Sequence, residues 1–264
     1  MISKVYPTFF AIVAAFIFLG CTSTPKDRYL LSFYSVSGDL TKETLRAELD
    51  RQEVALRHHQ GRLAVAPIQN TGPIESAALP DYTSALPGNY LIVQTFPSKV
   101  HLDGFLEEQD RADTSAHTNL RIDAAVTAKL FKPMPMMQDY PVIGSIPHRE
   151  SPAFILLNGI SMNSMANPMT GIRMLRYMNA NLPKLEAQGT TLLGTFEVLD
   201  VVRGAFDFDM LFLTEWESPA AFDAVHQDPE FIDIARKTRN RAFRRFADDH
   251  GEIRFDLALD LDLD

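Results

Sequence analysis

Cysteine and tryptophan each occur once in this 264-residue sequence, at Cys21 and Trp216. A lone cysteine excludes an internal disulfide and any paired-cysteine metal site, so the fold must rest on its core. Positive charge is short as well: 25 Lys and Arg against 34 Asp and Glu give −9, a balance that makes nucleic acid a poor partner. The apolar run Phe9 to Leu19 has eleven residues, where a membrane-spanning helix needs about 20. No Gly-x-Ser-x-Gly elbow, phosphate-cradling glycine-rich loop or His-Glu-x-x-His occurs, which leaves hydrolase and zinc-protease chemistry without support. Apolar side chain is abundant: 46% hydrophobic residues and 10% aromatics suit a packed core and exclude disorder.

The first twenty residues carry one base, Lys4, no acid, and then the apolar run, which is the layout of a cleaved signal peptide. Phe18-Leu19-Gly20-Cys21 resembles the lipobox of bacterial lipoproteins, with Phe18 where an aliphatic residue is usual. The resemblance implies that residues 1–20 are removed and that Cys21 carries lipid such as palmitate. The body would then be held on a membrane outside the cytoplasm. Thr22 stands where an Asp would signal inner-membrane retention, which favours an outer-membrane anchor facing the periplasm. Cleavage shortens 264 residues by 20 to 244 and removes the Lys4 charge, taking −9 to −10.

Strand signals open the body at Tyr29 to Val36, and a helix follows from Glu43 to His58 with Leu45, Leu49 and Leu56 at helical spacing. Strands are expected at Leu63 to Ile68 and Tyr90 to Phe96, separated by an irregular loop from Pro67 to Pro87 that holds four prolines. A helix from Lys99 and a strand from Ala124 to Phe131 complete β-α-β-β-α-β, the ferredoxin-like order. Residues 133–152 form a Pro- and Met-rich linker. The second half repeats the order: strand Phe154 to Ile160, helix Gly171 to Leu185, strands Thr191 to Val202 and Met210 to Trp216, a helix opened by Asp228-Pro229, and a last strand Ile253 to Leu263. The last helix is expected to present Phe231, Ile234, Ala235, Phe243 and Phe246 on one side. Phe96, Ser98 and Asp103 match Trp216, Ser218 and Asp223 at a constant offset of 120, which supports a duplication. The expected architecture is α+β: units 21–132 and 153–264 packed as an internal pseudo-dimeric barrel.

Two stretches carry a family likeness. Tyr177 to Gly189 has a Tyr, a Pro-x-Leu and a closing Gly, and Glu215 to Phe222 is followed by Asp228-Pro229-Glu230-Phe231 and Arg239. Over residues 153 to 263 the chain resembles the dimeric α+β-barrel superfamily, particularly its antibiotic-biosynthesis-monooxygenase-like branch and related small domains. Residues 28 to 132 share its element order only. The superfamily includes cofactor-independent monooxygenases, haem-binding and haem-degrading proteins and isomerases, so the resemblance implies a cavity between sheet and helices without naming a reaction.

The candidate site lies in the second unit. His226 is the titratable residue of interest, with Asp228 and Glu215 as its catalytic companions and Trp216 and Tyr177 as pocket walls. The first half has Thr95, Phe96 and Leu106 where the second has Glu215, Trp216 and His226, so any working pocket belongs to the second. Met162, Met165 and Met169 would line one helix face and offer soft ligands to Cu(I), while methionine is equally a flexible core filler. His58 and His59 are adjacent, so their rings should point to different sides of a helix end in solvent. Six bases, Arg236, Lys237, Arg239, Arg241, Arg244 and Arg245, form a basic helix face complemented by an acidic terminal strand or by anionic headgroups. With no convincing catalytic set and no required cofactor, the expected function is non-enzymatic: a membrane-anchored, periplasm-facing accessory or small-ligand-binding lipoprotein. The rival is a monooxygenase-like or haem-handling enzyme.

Overall fold

The computed structural model describes residues 27–36, 42–73, 85–112, 120–130, 154–162 and 168–253. In chain order the elements are β1 (Arg28–Val36), α1 (Lys42–His58), β2 (Arg62–Leu63), β3 (Ile68–Pro73), β4 (Tyr90–Phe96), α2 (Lys99–Ala112) and β5 (Leu120–Leu130). The second unit adds β6 (Phe154–Met162), α3 (Pro168–Ala187), β7 (Thr191–Gly204), β8 (Met210–Trp216), α4 (Pro219–Gln227), α5 (Pro229–Ala242) and β9 (Phe243–Ile253). Cys21 with the expected signal peptide, the expected linker and Met165 lie outside the described residues.

Within the first unit the strands run β5-β1-β4-β3, with β2 also on β4; within the second they run β9-β6-β8-β7. Both orders place the unit's last strand beside its first, as in a ferredoxin-like unit. The last strand of each unit then pairs with the second strand of the other: β5 with β7, and β9 with β3. Eight strands thus close into a ring of antiparallel pairs with no open edge, which is the pseudo-dimeric barrel expected from the repeat. The offset of 120 holds in three dimensions, since β4 and β8 cover residues 90–96 and 210–216 and their helices begin at Lys99 and Pro219.

An eight-stranded barrel is just wide enough for side chains to fill, and here aromatic rings do much of the filling. Phe33 of the first unit stacks on Phe206 of the second at 5.1 Å, and Tyr29 meets Phe196 edge-on at 5.2 Å. These join Leu31, Val93, Leu157 and Leu213 in one core built from both units. The opposite sheet face in each unit is covered by helices: Leu30, Leu56, Phe96 and Phe105 in the first, and Leu156, Trp216, Phe222 and Phe231 in the second.

The structure corrects three boundaries. The strand expected over Leu63 to Ile68 is broken: β2 covers only Arg62–Leu63, and β3 runs from Ile68 into the expected loop as far as Pro73, where it supplies the ladder partner for β9. The last helix stops at Ala242, and Phe243 to Ile253 is strand rather than helix. Its sequence, rich in Asp and Arg, has weak strand propensity, but two ladders, to β6 and to β3, override it. The expected last strand from Ile253 to Leu263 therefore starts where β9 ends, and residues 254–264 lie outside the described part. The six bases are accordingly not on one helix: Arg236, Lys237, Arg239 and Arg241 belong to α5, and Arg244 and Arg245 to β9. Among the described residues no helix is long and apolar enough to cross a membrane.

Candidate functional site

Local sequence chemistry fixes the helices around His226. Ser218 caps α4, its Oγ accepting from the Ala221 amide at 3.1 Å, and Pro219 takes the first helical position, where no amide is needed. One extended residue, Asp228, then separates α4 from α5, and its Oδ1 accepts from the Glu230 amide at 2.8 Å. Lys184 of α3 reaches both Glu230 at 2.7 Å and Asp228 at 3.5 Å, tying the third helix to this junction. The Glu230 amide, aided by Lys184, holds the Asp228 carboxyl below the usual carboxylate range.

His226 sits half-buried in the last turn of α4. Its ring stacks on Phe222 with centroids 3.9 Å apart, lies 5.1 Å from Phe231 and 6.0 Å from Trp216. Nδ1 is 2.9 Å from the Phe222 carbonyl oxygen. A carbonyl only accepts, so Nδ1 carries the hydrogen. Trp216 is buried and donates from Nε1 to Thr214 Oγ1 at 3.1 Å, while its ring meets Phe222 edge-on at 5.1 Å.

The other expected site residues do not all converge here. Glu215 follows Leu211 and Leu213 on the barrel-facing side of β8, because side chains alternate along a strand, so the sheet separates it from its neighbour Trp216. Asp228 is spent on capping and on Lys184. Tyr177 packs edge-on against Phe243 at 5.0 Å, in a cluster with Met162, Met210 and Phe212. Met210 and Trp216 mark opposite ends of β8, about 20 Å apart at about 3.3 Å per residue, so Tyr177 and Trp216 share a sheet face but not a site. The shared helix face expected for the methionines does not form: Met162 is a buried residue of strand β6, and the helix that includes Met169 starts only at Pro168.

Sequence reasoning passes over His250, which falls between the expected last helix and the expected last strand. It is half-buried, its ring edge-on to Phe154 at 5.2 Å, and burial pushes its imidazole below the usual histidine range against the pull of Asp223. Sequence reasoning also misplaces His58 and His59, whose rings both turn to Glu108. An open groove of about 620 Å³ between Asp200, Asp207, Asp209 and Arg244 contains none of the expected site residues.

No protein-family model matches the chain, and no curated protein matches it in sequence. Solved structures do match. A variant of chlorite dismutase from Candidatus Nitrospira defluvii aligns with a TM-score of 0.53 at 12% identity over 88% of this chain and 92% of that one. Chlorite dismutase from the same organism in complex with imidazole aligns at 0.52, with 12% identity and coverage of 88% and 92%. A haem-binding protein from Thermus thermophilus aligns at 0.49, with 14% identity and coverage of 92% and 99%. At such identities the first two matches establish architecture: the chain has the fold of chlorite dismutase, two ferredoxin-like units closed into one α+β barrel.

Proposed function

We propose that the protein is a membrane-tethered haem-binding lipoprotein of the cell envelope, with His226 as the iron ligand and the helix-covered face of the second unit as the site. The carrying observation is the state of His226. A metal-ligating histidine characteristically gives its other ring N–H to a carbonyl or carboxylate, which fixes the tautomer and aims the ligand nitrogen. The Phe222 carbonyl does this for Nδ1. The donor type fits the group, since neutral imidazole is a common haem ligand, and the surroundings of His226 are apolar and aromatic, with Phe231 at 5.1 Å and Trp216 at 6.0 Å. Iron porphyrin held there would supply reversible ligand binding and one-electron chemistry.

Binding is favoured over catalysis for a geometric reason. Neither carboxylate can act as acid or base beside His226: Glu215 is on the other side of the sheet, and Asp228 caps α5 and pairs with Lys184. The fold of chlorite dismutase and the superfamily resemblance of the second half both support a ligand site between sheet and helices. The lipobox-like Cys21 supports an envelope location.

The test is hemin titration of the purified protein. One equivalent should bind with the absorption spectrum of a histidine-ligated haem, and His226→Ala should abolish that spectrum while His250→Ala keeps it. Binding unaffected by His226→Ala, or none at all, would remove the proposal.

A further inference from the structure

A second donor cluster lies on the first unit, far in sequence from His226. His58 is the last residue of α1 and His59 the first of the turn that ends it. Adjacent residues inside a helix diverge by about 100°, and the His59 amide still makes the helical bond to the Ala55 carbonyl at 3.1 Å. Gln60 takes a left-handed φ of 54°, and the Gln60 and Gly61 amides donate back to Arg57 and Leu56. The side chains nevertheless bring the two rings to 4.7 Å, centroid to centroid, and both face Glu108 on α2. His58 Nδ1 lies 3.0 Å and His59 Nε2 2.9 Å from the same oxygen, Oε2. The three donor atoms all fall within 4.8 Å of one another.

The neighbouring helix is shaped to receive His59. A Cβ on Gly104 would come within 2.7 Å of its Cε1 and 2.8 Å of its Nδ1, so only glycine lets the ring lie against α2. Glycine inside a helix is unfavourable relative to alanine, and α2 accepts it where the ring rests. The side chain of His59 is accordingly only 18% exposed, with Phe105 edge-on at 6.5 Å, whereas His58 is 71% exposed.

We propose that His58, His59 and Glu108 form a binding site for a divalent cation of the zinc class, independent of the haem site. Two imidazole nitrogens and one carboxylate oxygen are the donor set of open zinc sites. Tetrahedral bonds of about 2.0 to 2.1 Å place ligand atoms about 3.3 Å apart, so small side-chain movements from the present separations accommodate the ion. The exposed side next to His58 leaves the fourth position to water. The ion clips the end of α1 to α2.

The test is titration of chelator-stripped full-length protein with Zn²⁺ against a chromophoric competitor. One equivalent is expected, with a rise in unfolding temperature that follows Zn²⁺ concentration. His59→Ala and Glu108→Gln should each weaken binding at least tenfold and abolish the thermal shift. Gly104→Ala, which displaces the ring without removing a ligand, should weaken it too. His101→Ala, on the same helix but bonded to Ser98, should bind as the parent does. Absence of stoichiometric Zn²⁺, or equal affinity in the parent and in folded His59→Ala and Glu108→Gln proteins, would overturn the proposal.

Discussion

Asp249, on the last strand of the second unit, accepts a hydrogen bond at 2.8 Å from Asn70 Nδ2 on the second strand of the first. The same Oδ2 accepts from the Leu86 amide at 3.0 Å, and the carboxylate is fully buried. One side chain thus joins the β9–β3 seam to a third segment of the first unit. Asp249→Ala leaves the Leu86 amide and the Asn70 side-chain amide without this acceptor, a loss of about 2 to 4 kcal/mol for two buried donors. Urea unfolding should register that loss, and a change within experimental error would mean the seam does not depend on Asp249.

A second seam prediction concerns Gly159. A Cβ there would meet Leu86 Cδ2 at 2.9 Å and the Phe208 ring at 3.1 Å. Gly159→Ala should destabilise by about 1 to 3 kcal/mol through overpacking, despite alanine's lower backbone entropy cost. Gly72, with nothing within 4 Å of its notional Cβ but a φ of 106°, would lose stability through backbone strain instead. Combining Gly159→Ala with a smaller residue at Leu86 should recover part of the loss in the first case, and no such repacking should help the second.

His250 gives a pH dependence whose sign is fixed by its environment. Burial lowers its folded pKa below the ordinary value of 6.5, so the unfolded chain binds the proton first as pH falls. Stability then rises with pH between the folded pKa and about 6.5, and no penalty remains above that window. Unfolding midpoints at pH 7.5 and 5.5 should therefore differ more in the parent than in His250→Gln. An identical difference in the two proteins would show that His250 does not contribute.

The repeat is legible in the sequence because each unit must bury one sheet face under helices and the other against its partner, which imposes a strand pattern on β1, β4, β6 and β8. The ends are less legible. Nothing local in Phe243 to Ile253 announces a strand; its pairing partners are about 90 residues upstream on β6 and about 180 upstream on β3. Phe243 and Phe246, spaced for a helix, point a sequence reading the wrong way. Trp216, Phe231 and His226 are recognisable as neighbours, since their motif is local. Glu215 joins them on paper only when strand alternation is not carried through to the site. The convergence of His58 and His59 escapes a sequence reading because their common partner, Glu108, lies about 50 residues away on α2.

The proposed lipid anchor is tested separately from the body. Cys21→Ser should block incorporation of radiolabelled palmitate, leave the precursor mass uncleaved or release the protein, and shift membrane fractionation. Unchanged mass and fractionation would contradict a lipid on Cys21.

The most direct test of the central claim is the hemin titration carried out on the parent and on His226→Ala side by side, with imidazole added back to the variant. The account predicts one equivalent of histidine-ligated haem in the parent, its loss in His226→Ala, and recovery of the spectrum with added imidazole. The same spectrum in parent and variant before imidazole is added would contradict His226 as the ligand, and no haem binding by the parent would contradict the function itself.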